Sequence, residues 1–342
     1  MTPPLEGIKI IEIESLGPAP FCGMLLGDLG AEITLIKRPI STSPFQGDNV
    51  PLIDQGKTAV KLDLKSRDDS AQLKTLVQDA DGLIEGMRPG VMERLGLGPG
   101  DLAPINPALV YGRVTGWGQD GPLSRAAGHD INYSALSGAL WFSGQPEQPP
   151  LAPPTLLADI GGGALYLSVG ILSALLQAKS TGRGAVIDAA MIDGSAHMLN
   201  LLLTAIPAGV IREVRGTSPL DGAHWYNTYA CHDKKYITVG SLEPKFYALL
   251  LEKLNLQAGP EFSDQFDSAK WPELKTRFEA LFAMKTQAEW CDLLEGTDVC
   301  FAPVLTPSEA AEHPHMKVRG IYERRDGRLR AAPAPRFKNL TD

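Results

Sequence analysis

The feature that most constrains the fold is the alternation of strand-like and helical segments in the first third of the chain. Short apolar runs such as "GIKIIEIES" and "AEITLIKRP" have the length and composition of buried strands. Between such runs, segments such as "RDDSAQLKTLVQDA" place apolar residues at helical spacing. Strands that alternate with helices indicate a parallel sheet of the doubly wound type. The pattern therefore predicts an α/β fold for this part of the chain.

The second half of the chain has a different pattern. "WYNTYACHDKKYITVGS" is typical of a β-hairpin, and two amphipathic helical segments and a further strand follow it. A chain of 342 residues is also too long for one simple core. We therefore expect a large domain over 1–200, a Gly- and Pro-richer linker over 201–224 and a smaller α+β domain over 225–314.

Charge and cysteine content exclude several classes of protein. The net charge is −8, and no basic stripe with interleaved aromatic residues occurs, so nucleic acid is not expected as a partner. The four cysteines form no CxxC pair, which favours a reduced, cytoplasmic protein. The start of the chain lacks the pattern of a signal peptide. The apolar stretch 160–178 is interrupted by glycines and serines, which favours a buried helix over a membrane span.

Ligands of doubly wound sheets bind beyond the carboxyl ends of the strands, so the residues that follow the strands are informative. After the first strand comes "SLGPAPFCG", which lacks the G-x-G-x-x-G spacing of a dinucleotide site. This argues against a nicotinamide-dependent oxidoreductase.

Two acid–base residues stand out, each with a plainer alternative. His129 lies in "AAGHDINYSALSG" and is a candidate catalytic base, a metal ligand or a structural histidine. Asp159 precedes a glycine-rich helix start in "LLADIGGG", where a ligand could approach the backbone, or it is only an N-cap. His313 and His315 flank a proline without an HExxH or cysteine pattern, so no metal site is expected.

Five motifs, in order along the chain, resemble those of one enzyme family. They are "GHDINYSALSG", "LLADIGGG", "TGRGAVIDAAM", "YITVGSLEPKFY" and "KTQAEWCDLLEGTDVCFAPVL". Together they resemble the α-methylacyl-CoA racemases of the family III CoA-transferase superfamily, the CaiB/BaiF group. The resemblance runs from "GIKIIEIES" to the final "PAPRF" and so covers nearly the whole chain.

The resemblance implies both an architecture and an activity. The large domain would be Rossmann-like and completed by a C-terminal return over 315–342. Two subunits would interlock in a homodimer, with each active site between the large domain of one subunit and the small domain of its partner. The enzyme would be an isomerase of fatty acid metabolism that interconverts (2R)- and (2S)-2-methylacyl-CoA thioesters through an enolate, without a cofactor or a membrane.

The resemblance also assigns roles to individual residues. His129 and Asp159 would carry the proton, one on each face of the enolate, and Glu243 would orient His129 across the subunit interface. The backbone N–H of Asp130 would stabilise the enolate oxygen. The cations expected to bind the phosphates of CoA are Arg38, Lys65, Arg88 and Arg94, although such side chains are often only solvated.

Alternatives to the racemase stay open at this point. In a family III CoA-transferase, an aspartate at the place of Asp159 is the nucleophile that forms acyl and CoA adducts. A non-catalytic acyl-CoA binder would keep the cations and lose one carrier, and none is lost here. The chain also departs from many relatives, because Lys37 stands where they have Glu and "EGMRPG" replaces "ENFRPG". The identity of the acyl chain also stays undecided among a branched fatty acid, a sterol side chain and an arylpropionyl group, since pockets for such groups are apolar and adaptable.

Overall fold

The computed structural model describes residues 2–40, 50–325 and 327–340. Backbone contacts divide the chain into two compact units. Unit 1 consists of Met1–Leu140, Ala152–Leu199 and Pro333–Asp342, and unit 2 consists of Trp141–Leu151 and Asn200–Ala332.

Unit 1 is built on a six-stranded sheet in which every neighbouring pair of strands is parallel. The strands are β1 (Lys9–Ile13), β2 (Glu32–Lys37), β3 (Thr58–Lys61), β4 (Gly82–Glu85), β5 (Val110–Thr115) and β6 (Val186–Ala190). Their order is β3-β2-β1-β4-β5-β6, so the direction of winding reverses between β1 and β4. The predicted doubly wound α/β fold is confirmed, and the reversal marks the edge where such sheets bind ligands.

Helices cover the unit 1 sheet and line its carboxyl edge. They are α1 (Pro18–Asp28), α2 (Arg67–Gln78), α3 (Val91–Arg94), α4 (Pro99–Leu102), α5 (Asp130–Leu136), α6 (Leu165–Thr181) and α7 (Met191–Met198). A π-helix over Leu156–Ala164 runs directly into α6, and short 3₁₀ helices lie at Leu52–Asp54 and Ala139–Phe142.

The alternation of side chains along each strand gives unit 1 a core on both faces of its sheet. Ile10 of β1 packs with α1 and α6, while Ile11, its neighbour in sequence, packs on the other face with Leu73 of α2 and Met92 of α3. Leu73 and Met92 are fully buried. Truncation of such a side chain to alanine typically costs about 2–5 kcal/mol, so the sheet depends on both layers of helices.

The segment Leu156–Thr181 is long and apolar enough to cross a membrane, judged by length and composition alone. Its inward side chains, such as Leu167 and Ile171, belong to the core of unit 1. On the opposite side of α6, Val169 and Leu176 are 63% and 74% exposed. The helix therefore has one packed face and one apolar face that unit 1 leaves uncovered.

Unit 2 combines a three-stranded antiparallel sheet with helices, as expected for a smaller α+β domain. The strands are β7 (Tyr226–Ala230), β8 (Tyr236–Gly240) and β9 (Phe301–Val304), in that order, and β10 (Tyr322–Arg325) pairs with β11 (Arg328–Ala331) in a hairpin. The helices are α8 (Asn200–Leu203), α9 (Pro244–Lys253), α10 (Trp271–Phe282), α11 (Gln287–Leu294), α12 (Pro307–Glu312) and α13 (Pro314–Val318), and a 3₁₀ helix spans Pro260–Phe262.

Aromatic side chains fill the core of unit 2. Phe278 packs edge-on to Phe282, and Phe282 packs against Trp290. His224 is fully buried among them and shares a hydrogen bond of 2.8 Å with the hydroxyl of Tyr247. Burial lowers the pKa of His224 to about 3, so this imidazole is neutral and structural.

One segment joins unit 2 from an earlier part of the chain. The guanidinium of Arg215 donates to the carbonyls of Ser143, Gln145 and Gln148 at 2.9, 2.7 and 2.8 Å. These bonds bring Trp141–Leu151 into unit 2, although the sequence prediction placed it in the large domain.

The C-terminal part of the chain also differs from the predicted limits. Unit 2 runs to Ala332, whereas the small domain was expected to end at 314, and Pro333–Asp342 is the part that returns to unit 1. The residues assigned to the linker, 201–224, lie in unit 2 as well. The predicted domain limits remain a prediction, and we use the two units below.

Candidate active site

The four predicted CoA-binding cations all lie in unit 1, after strands of its sheet. Arg38 follows β2, Lys65 follows β3, and Arg88 and Arg94 follow β4. All four side chains are exposed. The Nε of Arg38 donates to Glu14 at 3.0 Å, whereas the other three form no ion pair with a residue that the structure describes. Three cations are thus available to an anionic ligand at this edge.

The loop that carries Arg88 is anchored from below by a buried carboxylate. Glu85 ends β4, is fully buried, and accepts hydrogen bonds from the backbone N–H of Met87 at 2.6 Å and from Nε of Arg113 at 2.8 Å. Burial raises the pKa of the Glu85 carboxyl, while these two donors act in the opposite direction. These two hydrogen bonds hold the loop backbone after β4 in place and so fix the position of Arg88 at the end of the sheet.

His129 lies at the start of α5. It is the N-cap, with extended backbone, and its N–H donates to Oδ1 of Asn132 at 3.0 Å while Asn132 N–H donates to its carbonyl at 2.8 Å. The side chain of His129 is exposed, and within the described residues none is hydrogen-bonded to its ring. The backbone of His129 is therefore fixed, while its imidazole is open to a substrate or a partner.

Asp130 tethers the Asp159 segment to α5. Asp130 is only 7% exposed, and its Oδ1 accepts the backbone N–H groups of Ala158 at 2.7 Å and Asp159 at 2.8 Å. A carboxylate bonded to two N–H groups at a helix start satisfies donors that the helix itself leaves unpaired. The side chain of Asp130 thus has a positioning role that sequence reasoning missed, since only its N–H was assigned a function.

Asp159 is half-buried within the π-helix. Thr155 precedes that helix as its N-cap, so the alternative reading of Asp159 as an N-cap is wrong. Burial raises the pKa of Asp159 to about 6; the charge of Asp130 adds to the rise and His129 opposes it. Asp159 is therefore a carboxyl group that can hold or release a proton near neutral pH.

Gly17, in the turn between β1 and α1, lies against the Asp159 carboxylate. Its φ is 72°, and a Cβ built on it would lie 3.5 Å from Oδ2 of Asp159. Glycine is needed here for its backbone conformation, and it also leaves the space beside the carboxylate open.

The glycines after Asp159 serve packing rather than ligand approach. Gly162 and Gly163 are buried, and a Cβ on Gly162 would lie 2.6 Å from the carbonyl of Met191 in α7. A Cβ on Gly194 would likewise collide with the backbone of Gly162. The expectation that these glycines expose N–H groups to a ligand is therefore wrong for Gly162 and Gly163, which let the π-helix and α7 touch.

Tyr133, one turn after His129, was not singled out by the sequence. Its ring is 6% exposed, packs edge-on to Trp117 at 4.7 Å, and fills the space left by the missing side chains of Gly116 and Gly128. Burial raises the pKa of the Tyr133 phenol, and the Asp159 carboxylate adds to the rise. The Tyr133 ring thus packs against Gly128, the residue before His129. It also lies close enough to Asp159 for the two groups to interact electrostatically.

A buried ion pair lies beneath α1. Nζ of Lys57 lies 2.7 Å from Oε2 of Glu12 in β1 and donates to the carbonyl of Pro20 in α1 at 3.0 Å. Gly23 leaves room for the Glu12 carboxylate, because a Cβ there would collide with Oε2. Burial raises the pKa of Glu12 to about 7, while Lys57 opposes the rise. The pair fixes α1 against the sheet and so supports the Gly17 turn.

Glu243 lies in unit 2, after β8, where it is the N-cap of α9. Its backbone carbonyl accepts the N–H groups of Phe246 and Tyr247 at 3.0 Å. The side chain is exposed and forms no hydrogen bond with a residue in the described ranges. The structure therefore brings His129, Asp130 and Asp159 together in unit 1 and leaves the Glu243 carboxylate available in unit 2.

Comparison with known proteins gives the family. The sequence model of CoA-transferase family III matches residues 5–340. The chain belongs to CoA-transferase family III. The α-methylacyl-CoA racemase of Mus musculus is 44% identical over 332 residues, which cover 97% of this chain and 85% of the relative. That of Homo sapiens is 43% identical over 333 residues, which cover 96% and 86%.

A solved structure has the same fold as this family III chain. The crystal structure of a CaiB/BaiF family protein from Brucella suis superimposes with a TM-score of 0.83 at 24% identity, covering 98% of this chain and 93% of that one. The family III match and the 43–44% identity to curated α-methylacyl-CoA racemases confirm the resemblance derived from the five sequence motifs. Among the described residues of this family III chain, no group of three or more His, Cys, Asp or Glu side chains is placed to share a metal ion.

Proposed function

We propose that this chain is an isomerase that interconverts (2R)- and (2S)-2-methylacyl-CoA thioesters. The observation that carries the proposal is that Asp130 follows His129 in the chain and binds the backbone of Asp159 at 2.8 Å, so that one carboxylate couples both proton carriers. The 43–44% identity to curated racemases over nearly the whole chain supports the same activity.

The reaction needs two proton carriers and no external electrons. One carrier takes the proton from C2, and the C–H electron pair forms the enolate double bond while the carbonyl pair moves to the thioester oxygen. The other carrier then donates a proton to the opposite face, and the electron pairs return. The imidazole of His129 has a ring nitrogen that can accept or donate a proton, and the raised pKa of Asp159, about 6, lets that carboxyl take either role as well.

Stabilisation of the enolate oxygen falls to the backbone at the start of α5. Asp130 is the first residue of that helix, and its N–H has no carbonyl partner within the helix. An N–H donor aimed at the developing charge contributes most in a site from which water is excluded.

The phosphates of CoA would bind at the carboxyl edge of the unit 1 sheet. Lys65, Arg88 and Arg94 are exposed there without a carboxylate partner among the described residues, and Arg38 is joined to Glu14. Charge-assisted hydrogen bonds to phosphate are among the strongest a protein forms. We propose no cofactor, since CoA is part of the substrate and both proton carriers are side chains; dialysis against a chelator should leave activity unchanged.

A homodimer would complete the site. The uncovered apolar face of α6, with Val169 and Leu176, is typical of a surface that a second copy buries. We propose that Glu243 of one subunit hydrogen-bonds His129 of the other, which would give each side chain the partner that it lacks among the described residues of its own chain. A cytoplasmic location remains a prediction.

One experiment tests the activity directly. A single enantiomer of a 2-methylacyl-CoA is incubated with the protein in D₂O, and chirality and deuterium at C2 are followed together. The proposal expects loss of optical purity with one deuterium gained per inversion. Retention of configuration without deuterium uptake, over a time in which a known racemase equilibrates the same substrate, would refute it.

The second candidate is a CoA-transferase, and Asp159 is the observation in its favour. A half-buried carboxylate beside Gly17 has the space to attack a thioester and form an acyl or CoA adduct. Membership in family III supports this alternative only weakly, because the relatives that are 43–44% identical to this chain are named racemases. Mass spectrometry of the intact protein after incubation with acyl-CoA and a free carboxylic acid decides it, since only the transferase would retain a covalent group on Asp159.

A further inference from the structure

Unit 2 contains an apolar cavity of about 500 Å³ that plays no part in the chemistry described above. Its wall includes Leu201, Ala205, Ile211, Leu242, Phe266 and Trp271, all of them in unit 2. A volume of this size lies within the range of cavities that bind small organic ligands. Unlike a cleft lined by charges, this wall offers mainly contact surface for a hydrocarbon.

The wall of the cavity is rigid on one side. The backbone carbonyl of Gln265 accepts the indole N–H of Trp225 at 3.0 Å and that of Trp271 at 2.9 Å. Phe266, the next residue, packs edge-on to Trp225 with ring centroids 5.6 Å apart. Buried indoles held by hydrogen bonds keep a fixed shape, and a preformed apolar wall binds a chain at a lower entropic cost than a flexible one.

The same glutamine connects this wall to the predicted catalytic glutamate. The side-chain amide of Gln265 donates to the carbonyls of Ser241 at 2.9 Å and Leu242 at 3.0 Å. Leu242 lines the cavity, and Glu243 follows it directly as the N-cap of α9. An occupant of the cavity would therefore lie against the backbone that sets the position of Glu243.

The charges around the cavity fit part of an acyl-CoA. Arg212 is the charged side chain among the described residues of the wall, and no carboxylate lines it. Arg212 is exposed and forms no ion pair within the described part of the chain. An anionic thioester whose hydrocarbon part enters here meets no repulsion, since charge complementarity selects between otherwise similar ligands.

We infer that this cavity binds the aliphatic chain of the 2-methylacyl group and sets the chain length that the enzyme prefers. The inference rests on the proposed racemisation of acyl-CoA thioesters. It names straight or branched alkyl chains as the substrate class, and it gives Ala205, Phe266 and Leu242 a role in specificity.

Two substitutions of opposite steric effect test the inference. A205F fills the cavity, and F266A removes part of its wall. A208F is the matched control, because Ala208 is exposed in the same segment and does not line the cavity. Racemisation of 2-methyldecanoyl-CoA and of 2-methylbutanoyl-CoA is compared for each variant.

We expect A205F and F266A each to lower the ratio of kcat/KM for the long chain to that for the short chain by at least tenfold, with the short-chain value and A208F close to wild type. Equilibrium binding of the same two thioesters gives a readout that does not depend on turnover. If the wild type binds the long chain more tightly and A205F abolishes that preference, the cavity is the chain site even if no racemisation is found.

Two results would overturn the inference. One is an unchanged chain-length preference in both folded variants. The other is a chain-length effect of Leu136→Trp, in the open depression of about 480 Å³ on α5 near His129, with none of A205F. Dissociation of A205F into monomers would show that a second copy of the chain fills the cavity, and this also contradicts the inference.

Discussion

Oδ1 of Asp130 lies 2.8 Å from the backbone nitrogen of Asp159, across 29 residues of sequence. The bond sets both where the Asp159 carboxyl stands and how readily it gives up its proton, because the charge of Asp130 helps to raise the Asp159 pKa. A residue next to His129 therefore controls the second proton carrier.

The first prediction concerns this control. Asp130→Asn keeps an oxygen that can accept the N–H groups and removes the charge, so the pKa of Asp159 should fall below its present value of about 6. In the direction in which Asp159 acts as the base, the acidic limb of the kcat/KM profile should move to lower pH. The profile is measured for both enantiomers, with Asp68→Asn in the exposed first turn of α2 as the control. An unmoved limb would show that Asp130 only holds the backbone.

The second prediction separates the two proton carriers. His129→Ala and Asp159→Ala should each lower racemisation by about 10² to 10⁴-fold, because each removes a positioned acid or base and inversion needs both. Either variant should still exchange the C2 proton on one face, which appears as deuterium uptake with retention of configuration. If His129→Ala leaves catalysis almost intact while Asp159→Ala abolishes it, the transferase mechanism is the correct one.

The third prediction tests the CoA-binding cations. Arg88→Ala should raise KM for acyl-CoA by about tenfold with a smaller change in kcat, because it removes a contact made equally in the ground and transition states. The effect should shrink at high salt and should vanish for a pantetheine thioester, which lacks the nucleotide phosphates. Lys179→Ala, in the last turn of α6, is the control. Equal losses on both thioesters would contradict phosphate binding by Arg88.

The fourth prediction concerns stability and pH. Burial holds the pKa of Glu12 at about 7, above the ordinary 4.5, so the native state keeps a proton that the unfolded state releases, and this carboxyl destabilises the fold as pH rises through that window. Lys57→Met removes the opposing cation and should raise this pKa further. We expect a loss of about 3–5 kcal/mol in the free energy of unfolding at pH 8, and a smaller loss at pH 5, where Glu12 is neutral.

Denaturant unfolding at the two pH values measures this difference. Lys61→Met, at the exposed end of β3, is the control, because it removes a lysine four residues from Lys57 that has no buried carboxylate partner among the described residues. Equal losses at pH 5 and pH 8 would show that the Glu12–Lys57 contact is held by packing and not by charge.

The fifth prediction tests whether Glu243 acts across a subunit interface. His129→Ala and Glu243→Ala should each be nearly inactive alone. When the two variants are unfolded together and refolded, half of the dimers are mixed and one of the two sites in each is intact, so about a quarter of wild-type activity should return. Sedimentation shows whether dimers form, and a lack of recovery in mixed dimers would mean that Glu243 serves His129 of its own subunit or not at all.

The sequence predicted the strands and helices that depend on a pattern of neighbouring residues. The alternating segments up to β5 gave the parallel sheet, and "WYNTYACHDKKYITVGS" gave the β7–β8 hairpin. The segment Trp141–Leu151 was assigned to the large domain. No pattern near this segment indicates that Arg215, some 70 residues later, donates hydrogen bonds to its carbonyls.

In the candidate site, too, residues in continuous motifs were predicted, whereas contacts between distant residues were not. His129 and Asp159 were found because their motifs are continuous, and Glu243 was found by resemblance alone. The Asp130 tether and the Glu12–Lys57 pair were missed, since each joins residues far apart in the sequence. The glycines after Asp159 were interpreted as open to a ligand, but their close neighbour is the backbone of α7, which periodicity cannot place.

The two units share one polypeptide in five alternating pieces, and this affects how the protein is made. Synthesis delivers Pro333–Asp342, the last piece of unit 1, only after every residue of unit 2 has left the ribosome. The unit that carries His129 and Asp159 therefore cannot close during translation while unit 2 is still incomplete. For the same reason, a gene cut at any single point between 140 and 332 yields two fragments, neither of which encodes a whole unit 1, and a chimera with a relative has to exchange at least three segments to transplant that unit intact.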